Sequence, residues 1–164
     1  MNGGFRYAPA TRIYIQFNNR FWENESLNGW GNTDLPEEIW QPSWDMTGNT
    51  GVLMSYLRWS AAEDMDTLNQ DERNNAVLNR WENIFEGSIN NFDKGVSKSW
   101  VLDEWSKGAW ASPTTSQNET LNESIAQIEG RIHFAGEHAS NDRGWMQGAL
   151  FSGLRAATEI KNSN

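Results

Sequence analysis

The chain contains no cysteine, which excludes disulfides, thiolate nucleophiles and Cys-based zinc sites. Positive charge is scarce: 13 Lys and Arg stand against 22 Asp and Glu, for a net charge of -9. Nucleic-acid backbones are poor partners for such a chain, because counterion release needs clustered Lys and Arg. No apolar run approaches the roughly 18 residues that would span a bilayer. The first residues, MNGGFRYAPATR, hold no apolar segment of the secretory-signal kind, so a soluble, cytoplasmic chain is expected. No G-x-G-x-x-G fingerprint follows any strand pattern, and no internal repeat or low-complexity tract occurs. Apolar residues make up 37% of 164, a modest core for one domain or parts of two. What the chain does have is Trp, 10 in all, and these must supply much of that core.

Arg12 to Phe17 alternates with period two, placing Ile13, Ile15 and Phe17 on one face of a half-buried strand. From Glu23 to Asn49 the chain is rich in Gly, Asn and Pro and is flanked or punctuated by Trp22, Trp30, Trp40 and Trp44. This reads as a long ordered loop with short strands. Gly51 to Trp59 is a second, mostly buried strand. Asn69 to Glu86 carries Val77, Leu78, Trp81, Ile84 and Phe85 at helical spacing, with acidic residues in the first turn and Gly87 after the end. Val96 to Leu102 is a third strand. Pro113 to Glu123 is polar and reads as a loop and domain boundary. Arg131 to Phe134 is a short strand, and Met146 to Lys161 is the last helix.

The densest signal lies between His133 and Gly153, HFAGEHASNDRGWMQGALFSG. A strand runs into Gly136-Glu137, a polar loop, Gly144-Trp145 and a helix start. Free amides and the positive end of a helix dipole stabilise an anion or a carbonyl oxygen at such a place. Glu137 can accept hydrogen bonds from hydroxyls. In the helix, Gly148, Ala149, Ser152, Gly153, Ala156 and Ala157 form a small-residue stripe. Two helical glycines cost about 1 kcal/mol each against alanine. Packing on a sheet with no ligand, or on a flat cofactor, would offset that cost equally well.

FAGEHAS…RGWMQGALFSGLRAATEI resembles the C-terminal signature of the flavin-dependent amine oxidases, which include monoamine, polyamine and L-amino-acid oxidases. RIYIQFNNRFW, GWGNTDLP, WQPSW and GVLMSY extend the likeness upstream, closest to the substrate-domain half of L-amino-acid oxidases. It runs from about Ala8 to Ile160. The fold implied is α+β, with mixed α/β character. It comprises a mixed β-sheet substrate domain (residues 1–115) and the C-terminal strand and helix of an FAD-binding domain (116–164). The resemblance implies FAD as cofactor, with Gly136 and Glu137 contacting its ribityl–pyrophosphate part. Gly144, Trp145, Met146 and Ala149 would lie at the flavin, Met146 offering its backbone N–H to the pyrimidine end. It implies Trp145 and Trp110 as aromatic walls flanking the substrate, and Tyr56 as a ligand of a substrate carboxylate. Arg12 stands where the family usually has a lysine that holds a water near flavin N5. An arginine there holds that water, or marks altered oxygen chemistry, or simply faces solvent.

With no G-x-G-x-x-G, the chain looks like the C-terminal portion of such an oxidase: a split gene product, a processed chain or a truncated reading frame. The expected activity is oxidation of an amine or L-amino acid to an imine, with oxygen reduced to peroxide. One alternative is a non-catalytic remnant or subunit that pairs with a chain carrying the G-x-G-x-x-G half. Another is a Trp-rich carbohydrate-binding module. Expected partners are the small-molecule substrate, that FAD-binding chain and further copies of itself, with no nucleic acid and no membrane. His133, Glu137 and His138 fit no standard zinc spacing, so no metal is expected. Ser152 has no His placed as a base. Glu37-Glu38 and Asp103-Glu104 read as solvated pairs. Sequons at Asn24, Asn118 and Asn122 are common by chance in an Asn-rich chain.

Overall fold

The computed structural model describes residues 5–34 and 37–163. Leu35 and Pro36 of the TDLP stretch lie outside the described residues. The chain forms two compact units, one of Met1–Ala8 with Gly108–Asn164, the other of Pro9–Lys107. The expected junction at 115/116 falls inside the first.

The Pro9–Lys107 unit is built on a five-stranded antiparallel sheet. Its strands are β2 (Ala10–Phe17), β3 (Gly31–Asn32), β4 (Glu37–Trp40), β5 (Gly51–Arg58) and β6 (Phe92–Ser99), in the order β3-β4-β5-β2-β6. The alternation in β2 sets the two faces. Ile13, Ile15 and Phe17 are fully buried, while Arg12, Tyr14 and Gln16 are half-buried on the other side. Helices α1 (Ser60–Asp66) and α2 (Gln70–Trp81) cover the apolar face, where Leu53, Leu57, Val77 and Trp81 complete the core. Asp66 on α1 fastens that layer, accepting from Thr11 on β2 at 2.7 Å and Ser99 on β6 at 2.6 Å.

Helix α2 begins on a capping box. The Asn69 side chain accepts the Glu72 amide, and Glu72 answers at the Asn69 amide. Replacing Asn69 by alanine should cost about 1 kcal/mol in urea unfolding. The helix stops at Trp81 rather than Glu86. The Glu82 carboxylate accepts the amides of Ile89 and Gly87, folding the chain into a turn and holding its pKa below the usual carboxylate range. Only Trp22 of the four loop tryptophans is buried, its Nε1–H donating to Gln41. Trp30, Trp40 and Trp44 are exposed. Glu37, expected at the surface, is fully buried. Its carboxylate accepts from Ser55 and lies 3.3 Å from Arg80, 43 residues away.

In the other unit β1 (Tyr7–Ala8) pairs antiparallel with β7 (Trp110–Ala111), and α3 (Thr115–Leu121) and α4 (Met146–Asn162) follow. Two readings of this unit need correction. Pro113 to Glu123 is not a loop: α3 forms there on a Thr114–Gln117 capping box, although none of its residues is buried. Arg131 to Phe134 is not a strand. Only an isolated bridge between Glu129 and Ile132 forms, because among the described residues no neighbouring strand pairs with it.

Candidate functional site

Three of the residues expected around a ligand meet at Glu137. A short 3-10 turn, Glu137–Ala139, follows Gly136, whose φ of +146 suits glycine. From that turn the Glu137 carboxylate reaches two backbone amides, Ala111 on β7 at 2.8 Å and Gly144 at 2.6 Å. Its first duty is therefore to hold strand and loop together, with lone pairs left over for a further donor. Gly144 has a φ of +76, and a Cβ there would sit 3.6 Å from the Trp110 indole. Trp110, Glu137 and Gly144 are thus one cluster. Tyr7 lines it as well: burial and then the Glu137 charge raise its pKa.

Ser152 was missed as a site residue. Its hydroxyl accepts from Gly136 N at 2.8 Å and lies 2.8 Å from Gly136 O and 2.9 Å from Ala149 O, so α4 fixes the glycine turn directly. The clue was its place on the small-residue stripe. Gly148, Ser152 and Ala156 are the buried face of α4. Arg143 was missed too. It donates to His138 O, Asn118 and Asn122, which puts two of the sequon side chains to structural use.

Trp145 is the N-cap of α4, in extended conformation, and no side chain caps the amides of the first turn. Its indole is 69% exposed, and Met146, next in the chain, is 85% exposed. Ala149 is exposed one turn on. Here the chain presents a flat apolar ring beside unclaimed amide donors at a helix start. Those donors and that ring fit the electron-rich end of a flavin, which needs amides at its polar edge and an apolar surface along its face. His133 pairs with Glu159 at 3.1 Å instead of joining Glu137 and His138. Among the described residues no group of three or more His, Asp or Glu is placed to hold a metal ion.

Arg12 and Tyr56 lie in the other unit, directly opposite each other on β2 and β5. The Arg12 guanidinium stacks 4.6 Å above the Tyr56 ring, and Arg58 approaches the same ring at 5.5 Å. Desolvation, the largest influence, works to lower the Arg12 pKa. Hydrogen bonds to Tyr14 and Tyr56 and their charge outweigh it and raise the pKa above the ordinary value. The residues expected at the site thus fall in both units.

The sequence model of the family described as flavin containing amine oxidoreductase matches residues 3–161. Among curated relatives, YobN of Bacillus subtilis is 37% identical over 159 residues, covering 94% of this chain and 33% of YobN. The L-amino-acid oxidase of Siganus canaliculatus is 34% identical over 162 residues, covering 94% of this chain and 30% of that protein. The cyclohexylamine oxidase of Brevibacterium oxydans superposes with a TM-score of 0.80 at 20% identity, covering 96% of this chain and 36% of that one. The chain thus spans about a third of the length of the relatives it matches. No helix among the described residues is long and apolar enough to cross a membrane. A family match over nearly every residue, carried by a fold these oxidases share, makes this chain a member of the flavin containing amine oxidoreductases.

Proposed function

We propose that this chain supplies the substrate-side sheet and the flavin-covering helix of an FAD-dependent amine or L-amino-acid oxidase. The reaction converts an amine or amino acid to its imine, with oxygen reduced to hydrogen peroxide. The observation that carries this reading is the exposed Trp145 at the uncapped start of α4, inside a family match spanning residues 3–161. The names of relatives such as the Siganus canaliculatus L-amino-acid oxidase support the reaction class.

Bound FAD supplies the acceptor for the two electrons and the hydrogen that leave the substrate carbon. The chain supplies placement and electrostatics. The amide of Met146 donates toward the pyrimidine edge, where the α4 dipole favours negative charge. Gly136 leaves room for the ribityl–pyrophosphate part, and Glu137 has lone pairs for its hydroxyls. Gly144 and Ala149 keep the helix start free of bulk. Trp145 and Trp110 wall the substrate and exclude water, which disfavours burial of an ammonium and so favours the neutral amine. Tyr56 offers a hydroxyl to a substrate carboxylate. Arg12 stands in the place of the family's lysine.

A second reading is favoured by the outer face of α4. Leu150, Phe151 and Leu154 are 73%, 59% and 67% exposed. A face that apolar calls for cover, and a chain bearing the FAD-binding βαβ half is the proposed cover. In that reading the present chain is a subunit or remnant without turnover of its own. A carbohydrate-stacking role needs coplanar exposed rings, and Trp30 and Trp40 instead meet at 40° with centroids 5.1 Å apart.

The test is reconstitution. The complete protein mixed with FAD should turn yellow and release peroxide from L-amino acids or amines; this chain alone should hold FAD weakly. Trp145→Ala should lower kcat/KM by about 30-fold while leaving stability within about 0.5 kcal/mol, since the indole is exposed. Stoichiometric, slowly released flavin on the isolated chain would refute the partial-protein reading. Absence of peroxide from the flavin-loaded protein would favour the subunit or remnant.

A further inference from the structure

The helices that cover the five-stranded sheet do not meet everywhere. Between α1 and α2 lies a cavity of about 270 Å³, near the lower end of the sizes that take small molecules. Leu57 of β5 is its floor, Ala61 and Met65 of α1 form one wall, and Leu68 and Ala76 form the other. The alanines leave the gap open, because a methyl on either side is too short to close it. Unfilled space of this kind costs the lining side chains their dispersion contacts, which an apolar occupant restores.

The mouth of this cavity is unevenly charged. Arg80 of α2 lines one side, but its guanidinium lies 3.3 Å from the buried Glu37 carboxylate, which offsets its charge. Ser60 and Asp64 of α1, both exposed, line the other. Four residues apart on a helix, they share one face. The Asp64 backbone carbonyl accepts from Thr67, while among the described residues no donor engages the Asp64 carboxylate. An apolar hollow is therefore topped by one uncompensated negative charge, in a chain whose net charge of -9 points the same way. An anion is repelled there, and a neutral apolar molecule leaves the carboxylate unused. A compact apolar body bearing one ammonium satisfies both parts: its carbons fill the hollow, and its three N–H groups donate to Asp64 and to the Ser60 hydroxyl.

We propose that this cavity is a binding site for a free small-molecule apolar amine, held as its ammonium by Asp64. The inference is independent of the oxidase reading. Leu57 is buried while its neighbours in β5, Tyr56 and Arg58, lie on the other face, so the cavity and Arg12 are on opposite sides of one sheet. An amine held here is bound and released unchanged, an effector-type ligand rather than one undergoing reaction.

The probe is 1-adamantylamine, an apolar cage whose carbon next to nitrogen bears no hydrogen, so it cannot be oxidised to an imine. 1-Adamantanol and 1-adamantanecarboxylate keep the cage and change the head group. Each is titrated into the complete protein and followed at the methyl resonance of Met65, which reports this cavity rather than amine bound elsewhere. The amine should bind with a dissociation constant on the order of 0.1–1 mM. The alcohol should bind about fivefold more weakly and the carboxylate more weakly again. Asp64→Asn, at an exposed position, should weaken the amine about fivefold and leave the alcohol within about twofold. Salt raised to roughly 1 M should remove the advantage of the amine over the alcohol. Ala76→Leu keeps a good helix former in α2 and fills the hollow, so it should weaken amine and alcohol alike, by about tenfold or more. A Met65 resonance that ignores the amine overturns the proposal, and so does an amine titration unchanged in Asp64→Asn or in Ala76→Leu. Failure of the oxidase reading would show instead as no flavin and no peroxide, with these titrations unaffected.

Discussion

Glu137→Ala should destabilise the unit that contains β7 and α4 by about 3 kcal/mol, because it strips two backbone amides of their acceptor at once. The carboxylate receives Ala111 N at 2.8 Å and Gly144 N at 2.6 Å, two points 33 residues apart along the chain that no backbone bond ties together. Charge-assisted bonds contribute about 1.5–3 kcal/mol each, and partial exposure of the side chain puts these at the lower end. Glu137→Gln keeps the volume and one acceptor oxygen, so about half the loss is expected. Because the chain folds as two units, a single global midpoint is a poor probe. Amide hydrogen exchange is a better one: protection at Ala111 and Gly144 should fall together in Glu137→Ala. Unchanged protection at either amide would show that the carboxylate does not hold this joint. Since Gly144 immediately precedes Trp145, the variant should also weaken FAD binding to the complete protein, with Trp145 itself intact.

Glu137 also shows where reading a sequence stops. Its position after Gly136 was legible, and its partners were not: Ala111 carries no mark that distinguishes it, and Gly144, expected at the ligand, bore no sign that its amide is held by Glu137. The period-two pattern in β2 placed Ile13, Ile15 and Phe17 correctly on the buried face, because a strand with one face on a core must alternate. The spacing of Val77, Leu78 and Trp81 and the acidic first turn placed α2 for an equally local reason, while the Asn69–Glu72 capping box that starts it emerged with the structure. The same signature, Thr114 before Gln117, was hidden in α3 by the lack of any apolar face. The 131–134 stretch has the composition of a strand and lacks a partner, and pairing is a property of neighbours that composition does not carry. Buried Glu37 is explained by its donors Ser55, Arg80 and Thr33, the first two brought to it by tertiary folding.

The two units differ in how firmly each holds its expected residues, for the same physical reason. The elements that hold Arg12 and Tyr56 are long, paired on both sides and closed over a core, so that sheet face is rigid. The elements that hold Trp145 and Met146 are short turns fastened by a few side chains, chiefly Glu137, Ser152 and Arg143. Local stability should therefore be lower around Trp145, and what is lost there by mutation should appear first in flavin affinity rather than in the sheet.

Gly148→Ala puts propensity and packing in direct opposition, and packing should win. Alanine in place of glycine inside a helix is worth about 1 kcal/mol from propensity alone. A Cβ on Gly148, however, would stand 2.1 Å from the Asp142 carbonyl oxygen and 3.0 Å from Ser140 Oγ. The first of these is backbone and cannot rotate away. The loop from Ser140 to Gly144 must move bodily, and overpacking of that kind costs about 1–3 kcal/mol or somewhat more. A net loss of about 2 kcal/mol is expected, with weaker FAD binding, because the displaced loop carries Gly144 and with it the start of α4. Gly153 is the control on the same helix. Nothing lies within 4 Å of a Cβ built there, so Gly153→Ala should stabilise this chain by about 0.5–1 kcal/mol. Should Gly148→Ala prove as stabilising as Gly153→Ala in the same urea titration, the close approach of α4 to the Asp142 carbonyl would be wrong. The small-residue stripe would then owe its glycines to something outside this chain. If the signs are opposite in this chain and Gly153→Ala turns destabilising in the complete protein, the two glycines have separate causes: one makes room for the loop that presents Trp145, the other for whatever covers α4.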